Sequence, residues 1–224
     1  MDLIKDAENP FGIRRRRSIE ESPENKMGLK ELMNLVKSDL SRFAQTFALR
    51  GEPYSKRRVF WESLLFKAGF QAVLLYRISH WFFLKGWIQI AWFLTRLNIT
   101  LTGAEIEFNA HIGPGMFIAH PVGIVIGRGT AIGSGVTLFQ GVSFGVSSWH
   151  PDEITKFPKV GDHCVFFANS AIIGDITIGN NCIVAAHTVV TCDMPDGSLS
   201  MGVPAKIYPD KGREKISSWS QRDA

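Results

Sequence analysis

Residues 160–190 read VGDHCVFFANSAIIGDITIGNNCIVAAHTVV, with an apolar side chain at every sixth position: Val160, Phe166, Ile172, Ile178, Val184 and Val190. The same beat runs upstream as Ile106, Ile112, Ile118 and Ile124, then after a two-residue slip as Ile126, Ile132, Leu138 and Phe144. The fourth residue after most beats is small or apolar, among them Ala110, Met116, Val122, Thr130, Cys164 and Cys182. Glycine often follows the beat directly, as at Gly113, Gly127, Gly133, Gly161 and Gly179. A helix repeats about every 3.6 residues and a strand every 2, so a six-residue period sustains neither. It fits a coil of three short sides, one hexad per side, with the beat residue inward and Gly or Asn where the chain turns. Stacking such coils places Ile106 beneath Ile124 and Val160 beneath Ile178. The competing reading, a β-sandwich of short strands, requires alternation at period 2 rather than 6.

Upstream of the coils the pattern is helical. Residues 29–50 form an amphipathic helix with Leu29, Leu32, Met33, Val36, Leu40 and Phe43 on one face, broken by Arg50-Gly51-Glu52-Pro53. A second helical stretch runs from Val59 to Leu84 and ends at Gly86; a third, short helix covers Trp87–Leu97. The organisation expected is therefore α+β: a flexible basic arm over 1–28, an α-helical domain over 29–100, a parallel β-helix over 101–209 and a polar, partly ordered tail over 210–224. Between Phe144 and Val160 the beat is interrupted, so residues 145–159 leave the coil as an extruded loop.

Composition bounds the function. The net charge of +4 owes much to the run Arg14-Arg15-Arg16-Arg17 in the arm. Such a run can meet nucleic acid or acidic lipid, and a solvated, disordered arm is the plainer reading. Cys164, Cys182 and Cys192 show no CxxC spacing, and two of them fall at inward positions, so neither a zinc site nor a disulfide framework is expected. The opening Met-Asp-Leu-Ile-Lys-Asp lacks a secretory pattern, and a cytoplasmic location is expected. Trp81-Phe82-Phe83 and Trp92-Phe93 are strongly aromatic, yet Arg77, His80, Lys85 and Arg96 break every charge-free run below the roughly 18–20 residues a span requires. Helix packing or a subunit contact is the plainer reading of that region; peripheral contact with a membrane is the other.

Three segments carry a family resemblance. They are Phe70-Gln71-Ala72-Val73-Leu74-Leu75-Tyr76-Arg77-Ile78-Ser79-His80-Trp81, the coil segment from Phe117 to Gly127 with Gln140-Gly141-Val142, and the closing Met201-Gly202-Val203-Pro204-Ala205-Lys206. Across residues 50–208 the chain resembles the serine O-acetyltransferase family of left-handed β-helix, hexapeptide-repeat acyltransferases. The resemblance implies acetyl-CoA as acetyl donor, a hydroxyl acceptor, and a homotrimer or dimer of trimers with each site in a groove between neighbouring β-helices; acetyl transfer itself needs no metal, and with no regular multi-His ladder in the sequence none is expected.

By the same resemblance His120 is the general base, since an alcohol is a poor nucleophile until its proton is being removed. Glu105, fifteen residues earlier, occupies the position of the family's orienting aspartate, with Glu107 a weaker rival. The acceptor pocket departs from the pattern. The family's two ammonium-binding acids correspond to Glu52 and Ala119, and its carboxylate-binding Arg-His-Pro corresponds to Lys156-Phe157-Pro158, or with another gap to Trp149-His150-Pro151. Each missing charge-assisted bond costs about 1.5–3 kcal/mol. Both L-serine and a saccharide hydroxyl therefore stay open, Trp149 and Phe157 offering rings for a sugar face. On the donor side the matched positions are Ala168 and Ala186, with Lys206 as a point charge for CoA phosphates. The alternative in a different class is a non-catalytic trimeric scaffold that binds a biosynthetic partner.

Overall fold

The computed structural model describes residues 27–49, 55–148, 150 and 156–220. The run Arg14–Arg17 and the candidate site residues Glu52 and Trp149 lie outside the described residues.

Helix α1 (Leu29–Leu49) leads into α2 (Lys56–Phe66), α3 (Ala68–Leu84) and α4 (Ile88–Thr102). The single helical stretch expected over Val59–Leu84 is two helices. Lys67 takes extended backbone angles (φ −103°, ψ 91°) and serves as C-cap of α2 and N-cap of α3. Gly103 then ends α4 in the left-handed region (φ 76°), its N–H donating to Ile99 O at 2.9 Å, and the coils begin.

The first coil consists of β1 (Glu105–Ile106), β2 (His111–Ile112) and β3 (Phe117–Ile118); the second of β4 (Val125–Ile126), β5 (Ala131–Ile132) and β6 (Thr137–Leu138). The third holds β7 (Ser143–Gly145), β8 (Lys159–Val160) and β9 (Val165–Phe166), and the fourth β10 (Ala171–Ile173), β11 (Thr177–Ile178) and β12 (Ile183–Val184). Three parallel sheets result. One is ordered β1-β4-β7-β10 and closed by β13 (Val189–Val190); a second is β2-β5-β8-β11; the third is β3-β6-β9-β12, extended by β14 (Leu199–Met201) and the antiparallel β15 (Lys206–Tyr208). The beat residues fill the prism: Ile106, Ile126, Phe144, Ile172 and Val190 are all buried on the first sheet.

The register corrects one expectation. Val160 does lie against Ile178, but Ile106 pairs with Ile126, not Ile124. The slip sits inside the turn between the third and first sheets. That turn holds six residues (119–124) in the first coil and four (139–142) in the second. Val122 accordingly faces out, 67% exposed, and Ile124 takes the buried place expected for it.

Side chains satisfy the turn amides between the second and third sheets. Ser134 N–H donates to Asp162 Oδ1 (2.6 Å), Asp162 N–H to Asn180 Oδ1 (2.8 Å) and Asn180 N–H to Asp196 Oδ1 (2.8 Å). The Asn180 N–H and side-chain amide, donating to Asp196, hold its carboxyl below the ordinary range. After Asp210 the chain forms helix α5 (Lys211–Ser220), where a polar and only partly ordered tail was expected. Gly212 packs on the Ser198 carbonyl, so α5 covers the open end of the coils.

The helices dock on the first coil by polar contacts to its backbone. Tyr76 Oη donates to Ala110 O (2.7 Å), and His80 Nδ1 meets Phe108 O (2.6 Å). Phe43 links α1 to both α3 and β3, its ring 5.5 Å from Phe70 and 4.7 Å from Phe117.

Candidate functional site

The six-residue turn presents His120. Ala119 N–H donates to Leu138 O (2.9 Å), Gly123 N–H to Gly103 O (3.0 Å) and Ile124 N–H to Pro121 O (3.1 Å), which pins both ends of the turn and pushes its middle outward. His120 is exposed there. Glu105 opens the same coil at the same corner, its N–H donating to Ile124 O at 2.9 Å, and its carboxylate is exposed as well. One circuit of the coil thus returns the chain to its starting edge, which is how two residues fifteen apart come to share one corner. Among the described residues no hydrogen bond or ion pair links the two side chains.

Beside His120 lies a pocket of about 360 Å³. Its walls are Phe43, Phe117 and Phe66, with Ala119 and Pro121 from the turn and Lys67, Ala68 and Gly69 from the start of α3. Gly69 makes this possible. A Cβ there would strike the Ile118 carbonyl, so only glycine lets α3 approach the strand that leads into the His120 turn. Among the described lining residues Lys67 and His120 are the ionisable groups, and none is a carboxylate. Sequence reasoning missed Lys67, Phe66 and Gly69. The one signal available was an isolated glycine in a helical pattern, which marks a close approach.

The donor-side positions share the His120 corner. Ala168 and Ala186 occupy the same turn in the third and fourth coils, and Lys206 stands exposed on β15 at the far end of the third sheet. Three coil steps of about 4.8 Å separate His120 from Ala186, a track of roughly 14 Å. His187 N–H donates to Ala168 O (2.9 Å), with His187 itself in the left-handed region (φ 57°) and facing solvent.

The loop residues sit elsewhere. Lys156 and His150 are exposed where the chain leaves and rejoins the corner between the first and second sheets, and Phe157 lies against that corner. A Cβ at Gly127 would overlap the Phe157 ring, so the ring lies on bare backbone. One chain therefore does not bring Lys156, Phe157 or His150 to His120. At the loop corner Glu107 is half-buried with Oε2 unpartnered; burial raises its pKa, Arg128 opposes the shift and Glu105 adds to it.

A larger cleft of about 620 Å³ opens between α1, α3 and the second sheet, but it contains none of the predicted site residues. Its guanidinium, Arg77, is engaged by Asp39 and by the Ile112 and Gly113 carbonyls. The predicted base, His120, lines the smaller pocket instead. No group of three or more His, Cys, Asp or Glu arranged for a metal occurs among the described residues.

Comparison with known proteins agrees with the geometry. Residues 157–192 match the family model described as bacterial transferase hexapeptide (six repeats). A serine acetyltransferase of Helicobacter pylori (strain J99) is 35% identical over 158 residues, which is 70% of this chain and 90% of that protein. The serine acetyltransferase of Bacillus subtilis (strain 168) is 31% identical over 166 residues, 74% of this chain and 76% of that protein. Among solved structures, Neisseria gonorrhoeae serine acetyltransferase in complex with serine has a TM-score of 0.69 at 30% identity, covering 80% of this chain and 70% of that one. A serine acetyltransferase in complex with CoA has a TM-score of 0.70 at 25% identity, covering 83% and 73%.

Proposed function

Since the chain belongs to the serine acetyltransferase family and is an acetyl-CoA-dependent O-acetyltransferase, we propose that His120 is its general base and Glu105 the carboxylate that steadies it. Family membership sets aside the non-catalytic scaffold. His120 takes the proton of the acceptor hydroxyl, the oxygen attacks the thioester carbonyl, and the C–S bond breaks. The CoA thiolate then recovers the proton from the imidazolium, giving an acetyl ester and free thiol. Glu105 stabilises the imidazolium while it exists. What carries this reading is the solvent-facing imidazole at the mouth of a pocket, on the corner where Glu105 begins the coil. Ala168, Ala186 and Lys206 mark the donor track up that corner.

The acceptor reading favoured by the pocket is a saccharide hydroxyl. Phe43, Phe66 and Phe117 line it with flat apolar surface on which a sugar face can stack. L-serine is the second reading, favoured by the serine complex of the Neisseria relative. Val122 and Val125 are exposed apolar residues beside His120, and the loop residues Lys156, Phe157 and His150 stand at another corner. A homotrimer, or a dimer of trimers, covers the valines and carries one copy's loop to the next copy's imidazole. The free thiols Cys164, Cys182 and Cys192 suit a reducing compartment, the cytoplasm.

Thiol release from acetyl-CoA tests the reading, first with L-serine and then with a panel of sugars and nucleotide sugars. His120→Ala is expected to lower turnover at least about 10²-fold with whichever acceptor works. An unchanged rate removes His120 from the chemistry. Light scattering is expected to give three or six times the 25.0 kDa chain mass.

A further inference from the structure

Helix α4 is amphipathic the wrong way round for a surface helix. Its buried stripe is Ala91, Thr95, Asn98 and Thr102, small or polar residues at helical spacing against α3. That stripe is held by hydrogen bonds: Ser79 Oγ donates to Ala91 O (2.8 Å) and Asn98 Nδ2 to Ala72 O (3.0 Å). The apolar bulk points outward instead, with Phe93 65%, Leu101 62%, Trp87 56% and Trp92 41% exposed. A water-facing helix normally shows the opposite arrangement. Removing such a face from water is worth roughly 25 cal/mol per Å² of apolar surface, so something apolar is expected against it.

Charge identifies the occupant. From Ser63 to Ala104 the chain contains no Asp or Glu, while Lys85 and Arg96 are exposed on the α3–α4 turn and on α4. Lys85 lies over the Trp81 ring at 5.7 Å, so cation and aromatic surface are adjacent. A symmetric contact between two copies would bring the same cations together with no acidic partner on this segment. An anionic lipid surface takes both features at once: headgroups meet Lys and Arg, and Trp rings settle at the headgroup level. At 15 residues α4 is about 22 Å long, and no helix among the described residues is long and apolar enough to cross a membrane. The helix must lie in the plane of the surface.

We propose that the outer face of α4, with the turn that precedes it, docks the enzyme on an anionic bilayer surface. The claim is independent of the acceptor and of His120. Its test is co-sedimentation of the full chain with vesicles of phosphatidylcholine alone and of phosphatidylcholine with phosphatidylglycerol. The expected result is pelleting with the anionic vesicles, weakened by salt. Reversing two surface charges (Lys85→Glu with Arg96→Glu) should lower partitioning at least about tenfold, since each basic residue near such a surface contributes about 1 kcal/mol. Trp92→Ser with Phe93→Ser should abolish pelleting while acetyl transfer to a soluble acceptor holds. Failure of the wild type to pellet with either vesicle overturns the proposal. So does a Trp92→Ser, Phe93→Ser variant that pellets as before. A variant that drops to a smaller assembly by light scattering, from a wild type that ignores vesicles, assigns the face to a second copy instead.

Discussion

Arg77 of α3 and Asp39 of α1 meet as a two-pronged ion pair against the first coil, Nε to Oδ2 at 2.9 Å and Nη2 to Oδ1 at 3.1 Å, with both side chains almost wholly buried. The guanidinium also donates to the Ile112 and Gly113 carbonyls, and Asp39 Oδ1 accepts the Met116 N–H at 2.9 Å. Every polar atom of the pair is thereby used to fasten two helices to one coil. Asp39→Ala leaves the cation buried and alone, which is expected to cost about 3–5 kcal/mol. Urea unfolding measures it. The double replacement Asp39→Leu with Arg77→Met should recover only part of the loss: it leaves no orphan charge, but it strips the Ile112 and Gly113 carbonyls and the Met116 N–H of their partners.

Gly69→Ala should damage activity more than its size suggests. The added methyl meets the Ile118 carbonyl, two residues before His120, so α3 must back away from β3. Overpacking of this kind costs about 1–3 kcal/mol. A lower melting temperature together with a raised KM for the acceptor is the expected pair of results. A fall in stability with unchanged kinetics would show that the pocket wall does not depend on this approach.

Glu105→Gln keeps the side-chain length and removes the charge that would balance an imidazolium. The expected outcome in thiol-release kinetics is a fall in kcat with the KM for acetyl-CoA held, and partial rescue by Glu105→Asp. Equal turnover in all three proteins would leave His120 without its assigned carboxylate.

Glu107 offers a pH test. Burial raises its pKa in the folded protein, with Arg128 acting against the shift and Glu105 for it. A carboxyl with a raised folded pKa is costless below its unfolded value and destabilising once pH passes through the folded value. Glu107→Gln should therefore melt higher than the wild type at neutral pH, and the gap should close as pH falls toward 4.5, the ordinary value for the group. Melting curves across that range decide it; a variant that melts lower at neutral pH would mean that Arg128 pairing outweighs burial, and a gap independent of pH would remove ionisation of Glu107 from the account.

The coils were readable because a beat of six leaves few geometries, and Val160 to Val190 falls into register as the period requires. The position of the slip was not readable. Ile118, Val122 and Ile124 are all apolar at plausible spacing, and periodicity cannot tell which of them the turn extrudes. Only the rungs to the next coil show that the two extra residues widen the His120 turn. Likewise Lys67 and Phe66 reach the pocket through the break between α2 and α3, a tertiary event with no periodic trace. Glu52 and Trp149, read as acceptor contacts, fall outside the described residues.

The extruded loop leaves the ladder undisturbed. Phe144 pairs with Ile172, 28 positions on, while Ile172 pairs with Val190 only 18 on, and the rungs are otherwise alike. The excursion between β7 and β8 is thus absorbed without shifting the rungs on either side of it, an interchangeable cassette plugged into a fixed chassis. Evolution, or an engineer, can lengthen or rewrite it to admit a different acceptor without re-threading a single strand.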